Sequence, residues 1–167
     1  KHTLLPTIES DQYADHVEPI ILLLMNTGCR PSELLTLTWS LVDFDSPRIT
    51  ILAEHTKSGR ERSIPLSTEA KSVFKRWLNS HPSTPNSDHL VFPSPDTGMR
   101  MLRVPRAITK ILRKADIENF RPYDLRHTFA SKLLMNGVDL LTVSKLMGHS
   151  NISTTQIYAH LLDDHAK

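Results

Sequence analysis

Three short runs hold the residues best suited to chemistry in this chain. The first is Thr27-Gly-Cys-Arg30-Pro-Ser-Glu33-Leu-Leu-Thr-Leu-Thr-Trp39, and the second is Tyr123-Asp-Leu-Arg126-His127-Thr-Phe-Ala-Ser. The third, Leu-Met-Gly-His149-Ser-Asn-Ile-Ser-Thr-Thr-Gln-Ile-Tyr158, sets a tyrosine nine residues after a histidine. A guanidinium is a planar fork that bonds two oxygens of one phosphate and stays protonated. Two such forks on one phosphorus would stabilise the charge of a pentavalent transition state. A tyrosine beside them could attack that phosphorus. Its obstacle is a phenol pKa of about 10, which leaves roughly one tyrosine in a thousand ionised at neutral pH. Such a site must supply positive charge and a route for the proton. Arg30 and Arg126 lie far apart in the chain, so only folding can join them.

The order and spacing of these runs resemble the catalytic domain of the tyrosine recombinases, the phage integrase family, from about Thr7 to His160. The resemblance implies that Tyr158 is a nucleophile forming a covalent 3′-phosphotyrosine with DNA. Arg30 and Arg126 would clamp the phosphate, His149 would hydrogen-bond it, and Glu33 would orient the arginine or nearby backbone. The family also places a catalytic lysine in a β-turn, and Lys57 in Thr56-Lys57-Ser-Gly59-Arg60 matches that place. It would protonate the departing 5′ oxygen, which an ammonium can do and a guanidinium cannot. Arg60 and Arg62 compete with it as phosphate contacts but not as acids.

One position departs from the pattern. Tyr123 stands where the family usually begins its second run with histidine. A phenol can donate a hydrogen bond to phosphate, but it does not exchange protons near neutral pH as imidazole does. Tyr123 is therefore kept as a catalytic candidate with an altered role. His127 is expected to face elsewhere, because adjacent helix positions differ by about 100°. Each candidate also has a bland reading. Arg30 could pair with Glu33 or Glu18, His149 could cap a carbonyl, and the Tyr158 ring could sit in a core.

The resemblance implies a site-specific recombinase that cleaves and rejoins duplex DNA strands, acts as a tetramer on DNA, and works in a bacterial, phage or mobile-element setting in the cytoplasm. The isolated domain is expected to be monomeric. Two alternatives stay open: topoisomerase-like strand relaxation, and a catalytically weakened DNA-binding module of the same fold. No cofactor or metal is expected. One cysteine and nine histidines form no His-Glu-x-x-His helix or thiolate cluster, and no Gly-rich nucleotide loop is present. The phosphotyrosine ester itself stores the energy for rejoining.

Composition fits this without proving it. Hydrophobic residues make up 39% and charged residues 23%, as in an ordinary globular protein. The longest apolar run, Ile20 to Met25, is too short to span a bilayer, and no secretory signal is seen. Net charge is only +2, but it is unevenly spread. Residues 1–50 hold three basic and seven acidic side chains, residues 51–76 six and three, and residues 100–132 nine and three. The two basic blocks contain or adjoin the proposed phosphate ligands, as a backbone-binding face requires.

The elements that must position these groups read as mainly α with a small antiparallel β-sheet, an α+β domain matching the tyrosine recombinase catalytic fold. Residues 1–167 form one catalytic domain. It is expected to be a fragment, because the resembled family places a smaller DNA-binding domain ahead of it. Helices are expected at about Asp15–Asn26, Pro31–Leu37, Thr68–Leu78, Val104–Ala115, Pro122–Asn136, Leu140–Met147 and Ser153–Leu161. Ile49–Ala53 and Glu61–Pro65 read as strands around the Lys57 turn. Gly28, Gly137 and Gly148 fall where helices should stop. His81 and His89 are expected to face solvent.

Overall fold

The computed structural model describes residues 15–81, 87–104, 108, 111, 113, 115–117 and 119–158. Helix α1, Val17–Thr27, takes its place from sequence alone. Its apolar run buries Val17, Pro19, Ile20 through Leu24, and Thr27, so it has almost no solvent face. It packs against α3 (Thr68–Ser80) and α4 (Pro122–Met135). Gly28 ends it at φ 61°, with its N–H donating to Leu24 O at 3.1 Å. Glycine is required there twice over, since a Cβ would stand 2.1 Å from Cδ1 of Phe129 on α4.

The next helix, α2, is shorter than the sequence suggests, covering only Pro31–Leu34. Beyond it the backbone is claimed by tertiary pairing. Leu37 O accepts from Val91 N at 2.8 Å, and Trp39 N donates to His89 O at 3.1 Å. A one-turn 3₁₀ helix, Trp39–Leu41, leads into an antiparallel sheet ordered β1 (Val42–Asp43), β2 (Arg48–Ile51), β3 (Arg62–Pro65). Ile49 pairs with Ile64 and Ile51 with Arg62. Strand β1 was not expected, because two residues carry no readable period. It is set by the Asp43 carboxylate, which accepts from Asp45 N and Ser46 N and closes the turn into β2. A 3₁₀ turn at Ala53–His55 also interrupts what read as the end of the first strand.

The core lies between α1, the sheet and α3, with Trp39, Phe74, Trp77 and Phe92 buried in it. Ser67 caps α3 by accepting from Ala70 N at 3.1 Å. His81 is only partly solvent-facing, because its ring stacks on Trp77 at 3.6 Å, while His89 is exposed as expected. A second, smaller cluster joins Phe129, Ala130 and Leu134 of α4 to Val143 and Met147 of α5 (Leu140–Met147) and to Tyr158. The last described helix, α6, is Ser153–Gln156, with Tyr158 just beyond it. The expected helix at 104–115 and the end of the one at 153–161 lie largely outside the described residues. Ile108 and Ile111 belong to the main core. The whole is mostly helical with a small antiparallel sheet.

Candidate active site

Two helix starts in this chain share one construction. Arg30-Pro31-Ser32-Glu33 opens α2 and Arg121-Pro122-Tyr123-Asp124 opens α4. In each, proline occupies the first helical position and the acid two residues later accepts the N–H of the arginine, at 2.6 Å for Glu33 and 2.7 Å for Asp124. Their surroundings then diverge. Arg121 is exposed, whereas Glu33 is 1% exposed and becomes the hub of a buried ion network.

Glu33 Oε1 accepts from Arg30 at 2.8 Å and from Arg62 at 3.1 Å, while Oε2 accepts from Arg62 at 2.7 Å. Burial pushes its carboxyl up, but the Arg62 hydrogen bonds and charge, followed by Arg30, outweigh burial and hold it below its ordinary value. Burial likewise pulls the Arg30 guanidinium down, and the Glu33 bond and charge more than compensate. The Arg30–Glu33 pair, the bland alternative in the sequence, is therefore present. It fixes the arginine beside the cavity rather than occupying it on an open surface.

Arg126 projects from the buried face of α4 that also carries Leu125, Phe129 and Ala130. Its terminal nitrogens donate to Gly28 O, at the end of α1, and to Met147 O, at the end of α5. Helix C-termini leave carbonyls without intrahelical partners and carry partial negative charge, so one buried cation ties two helix ends together. Burial first, and the Arg30 charge second, lower Arg126 to about 10, leaving it cationic at neutral pH. Among the described residues its Nε has no hydrogen-bond partner. Gly148, φ 65°, closes α5 as Gly28 closes α1, and its carbonyl accepts from Arg30 Nη2 at 3.4 Å. The two glycine-ended helices thus converge on the two arginines.

His149 follows directly, its N–H donating to Ser144 O at 3.0 Å and its Nδ1 lying 2.7 Å from the buried Thr155 hydroxyl. Burial, then the charges of Arg126 and Arg30, lower it to about 4, so it is neutral near pH 7. With Thr155 donating to Nδ1, the imidazole proton sits on Nε2 and can donate a hydrogen bond to an anion. Lys57 is exposed on the turn after β2. The Thr56 hydroxyl accepts from Arg60 N at 3.1 Å and donates to Ala53 O at 2.9 Å, and Gly59 turns at φ 63°. Tyr158 is 6% exposed, and burial raises its phenol above the usual value despite the nearby Arg126 charge.

Arg30, Lys57, Tyr123, Arg126, His149 and Tyr158 all border one cavity of about 320 Å³. Glu33 stands behind its wall. Among the described residues no group of three or more His, Cys, Asp or Glu is gathered as a metal site.

The profile of the phage integrase family matches residues 2–165. The chain belongs to that family. Tyrosine recombinase XerC of Staphylococcus saprophyticus is 36% identical over 169 residues, covering 96% of this chain and 55% of that protein. Tyrosine recombinase XerA of Saccharolobus solfataricus is 36% identical over 146 residues, covering 87% of this chain and 46% of its own length. The chain therefore spans about half the length of the relatives it matches. A crystal structure of XerA recombinase shares the fold with a TM-score of 0.78 and 28% identity, over 99% of this chain and 61% of the other. The catalytic domain of bacteriophage HP1 integrase does so at 0.69 and 28%, over 99% and 86%. The Tn1549 transposon integrase, solved in complex with transposon right end DNA, has the same fold at 0.81 and 24%, over 99% and 61%.

Within this phage integrase fold, two site residues differ from their sequence reading. Arg62 is not an outward phosphate contact. Its side chain is 9% exposed, pairs with Glu33, and donates Nε–H to Leu146 O at 3.0 Å. It also fills the space beside Gly148, where a Cβ would meet it at 2.8 Å. The signal was strand alternation, because Arg62 shares the inward face of β3 with buried Ile64. His127 does not face away from the site: it borders the cavity, and its Nδ1 is hydrogen-bonded with the Tyr158 hydroxyl. The 100° rotation that carries it off the face of Arg126 places it one turn after Tyr123, with the two rings 6.2 Å apart.

Proposed function

We propose that this chain is the catalytic domain of a site-specific DNA recombinase that breaks and rejoins duplex DNA through a phosphotyrosine. The observation that carries the reading is the gathering of six residues from distant parts of the chain around one cavity. A scissile phosphate enters that cavity between Arg30 and Arg126, and the neutral His149 donates an Nε2–H hydrogen bond to a phosphate oxygen. Tyr158 Oη attacks phosphorus, the bond to the 5′ oxygen breaks, and Lys57 Nζ gives that oxygen a proton. Rejoining runs the same steps backwards with a 5′ hydroxyl from a partner strand. The phosphate ester conserves the bond energy, so neither ATP nor a divalent ion enters a step.

Duplex DNA is the proposed partner, and exposed cations support it. Arg103 and Arg121 border an adjoining cavity of about 520 Å³ that shares Arg30 and Tyr123 with the site, and Lys57 and Arg60 are exposed beside it. Relatives have been solved on DNA, including XerH bound to its difH substrate. Assembly as a tetramer on two duplexes, with an amino-terminal DNA-binding domain ahead of this one, belongs to the same proposal. So does a cytoplasmic setting; among the described residues no helix is long and apolar enough to cross a membrane. The test is a nicked duplex that traps the covalent intermediate in the full-length protein, read on a denaturing gel. Wild type should give a protein–DNA band and Tyr158→Phe none. A band from Tyr158→Phe would refute the assignment. Exchange between two DNA partners separates a recombinase from a relaxing enzyme.

A further inference from the structure

The mechanism above leaves one proton without a destination, that of the Tyr158 hydroxyl. The family's usual histidine near the nucleophile is Tyr123 in this chain, and a phenol cannot accept a proton from another phenol at neutral pH. We infer that His127 takes the proton of Tyr158 during cleavage and returns it during rejoining. This rests on Tyr158 being the nucleophile, and it adds a residue that the sequence motifs do not assign.

The geometry carries the inference. His127 Nδ1 is hydrogen-bonded with the Tyr158 hydroxyl, and the ring centroids are 5.6 Å apart at 51°. The contact joins α4, which also supplies Arg126, to the segment just after α6, so it is made across the cavity wall. In the tautomer with its proton on Nε2, His127 presents the Nδ1 lone pair to the phenol. As the Oη–P bond forms, the O–H bond breaks and its proton passes to Nδ1, giving an imidazolium. The P–O5′ bond breaks as Lys57 protonates the leaving oxygen. The charge of the site therefore changes by one proton accepted and one released, and no co-reactant is needed.

The other imidazole is badly placed for this duty. His149 Nδ1 is engaged by the Thr155 hydroxyl, and the neighbouring arginines disfavour its protonation. The titratable and charged groups that share the cavity with His127 are Tyr158, Tyr123 and Arg126 on its own helix, Arg30, Lys57 and His149. Burial raises the Tyr158 phenol, which makes an acceptor in contact with it more necessary.

The test is single-turnover cleavage by the full-length protein over a range of pH, with His127→Ala and His127→Gln. Each should cut about a hundredfold or more slowly near pH 7, the usual worth of a positioned base, and the loss should shrink as pH rises and the phenol ionises unaided. Added imidazole should restore part of the rate to His127→Ala but not to His127→Gln, whose side chain fills the space. A substrate with sulfur at the 5′ bridging position needs no acid for its leaving group. It should rescue Lys57→Ala and leave both His127 variants slow. Rescue of the His127 variants by that substrate would make His127 an acid and overturn the inference. Wild-type or faster cleavage with an unchanged pH profile would also overturn it, showing a residue that merely parks the phenol. Failure of the reading of the site would look different: Tyr158→Phe would still form the covalent product.

Discussion

The two walls of the cavity are built on different principles. On the arginine wall, Arg30, Arg62 and Arg126 are held by a buried carboxylate and by carbonyls at the ends of α1 and α5. All but the Arg30–Glu33 bond link residues distant in sequence. On the tyrosine wall, Tyr158 follows a four-residue helix; among the described residues it is held by a backbone bond to Thr155 O and a hydroxyl contact to His127, and it packs on the small cluster. The comparison teaches a division of labour. Groups that stabilise charge must be fixed before the reaction, because reorganising them during it would spend their advantage. As the proposed nucleophile, Tyr158 would have to move onto phosphorus and back, and among the described residues it has few anchors.

The largest expected effect breaks the arginine wall at its hub. Glu33→Ala leaves two largely buried guanidiniums facing each other without their shared, fully buried anion, and should cost about 3–5 kcal/mol of stability, as removal of one partner from a buried pair does. Urea denaturation checks it. A loss below about 1 kcal/mol would mean the network is solvated and the wall is not preorganised. Cleavage should fall further than stability explains, because Arg30 loses its anchor.

Tyr123→Phe comes next and asks which wall Tyr123 serves. It is 44% exposed, and its ring centroid lies 6.0 Å from the Arg126 guanidinium carbon. If its hydroxyl donates to the phosphate, single-turnover cleavage should slow by about ten- to a hundredfold, the worth of one bond to a charged group at about 1.5–3 kcal/mol. An unchanged rate would leave Tyr123 as a surface residue that only flanks the arginines.

The smallest effect is on stability against pH. His149 has a folded value of about 4 against an ordinary 6.5, and His16, half-buried against Trp77 and bonded to Pro93 O, is also lowered, chiefly by that burial. A lowered folded value means the unfolded chain binds protons first, so this stability is complete above about pH 6.5 and is lost as pH falls toward 4. The thermal midpoint should therefore be level above 6.5 and decline below it. His149→Gln should make the decline shallower without removing it, since His16 keeps its share. A midpoint that rises on acidification would contradict both assignments.

Much of this was legible in the sequence, for reasons that particular residues make plain. Helix α1 was readable because its apolar run and Gly28 give the same boundary. α5 has the bounds read from the sequence, with Gly148 ending it, and the structure adds Asp139 as its cap. The candidates around the cavity were legible because they sit in runs dense with the family's pattern. What was hidden depended on tertiary competition. The early end of α2 comes from Leu37 and Trp39 pairing with a distant loop, and β1 from a carboxylate closing a turn. Arg62 and His127 were misjudged for a related reason: each was weighed against its chain neighbour, Arg60 or Arg126. Their direction is set by the residue two along a strand or four along a helix, Ile64 or Tyr123.

The central claim is that the buried Tyr158, delivered from the lightly anchored wall, is the group that becomes joined to DNA. The chain has three tyrosines, and two of them, Tyr123 and Tyr158, border the same cavity. The most direct measurement is therefore to trap the intermediate, digest both protein and DNA, and locate the nucleotide-bearing residue by mass spectrometry. The account predicts a nucleotide on Tyr158 and none on Tyr123. A nucleotide on Tyr123, or a covalent product that survives Tyr158→Phe, would contradict it.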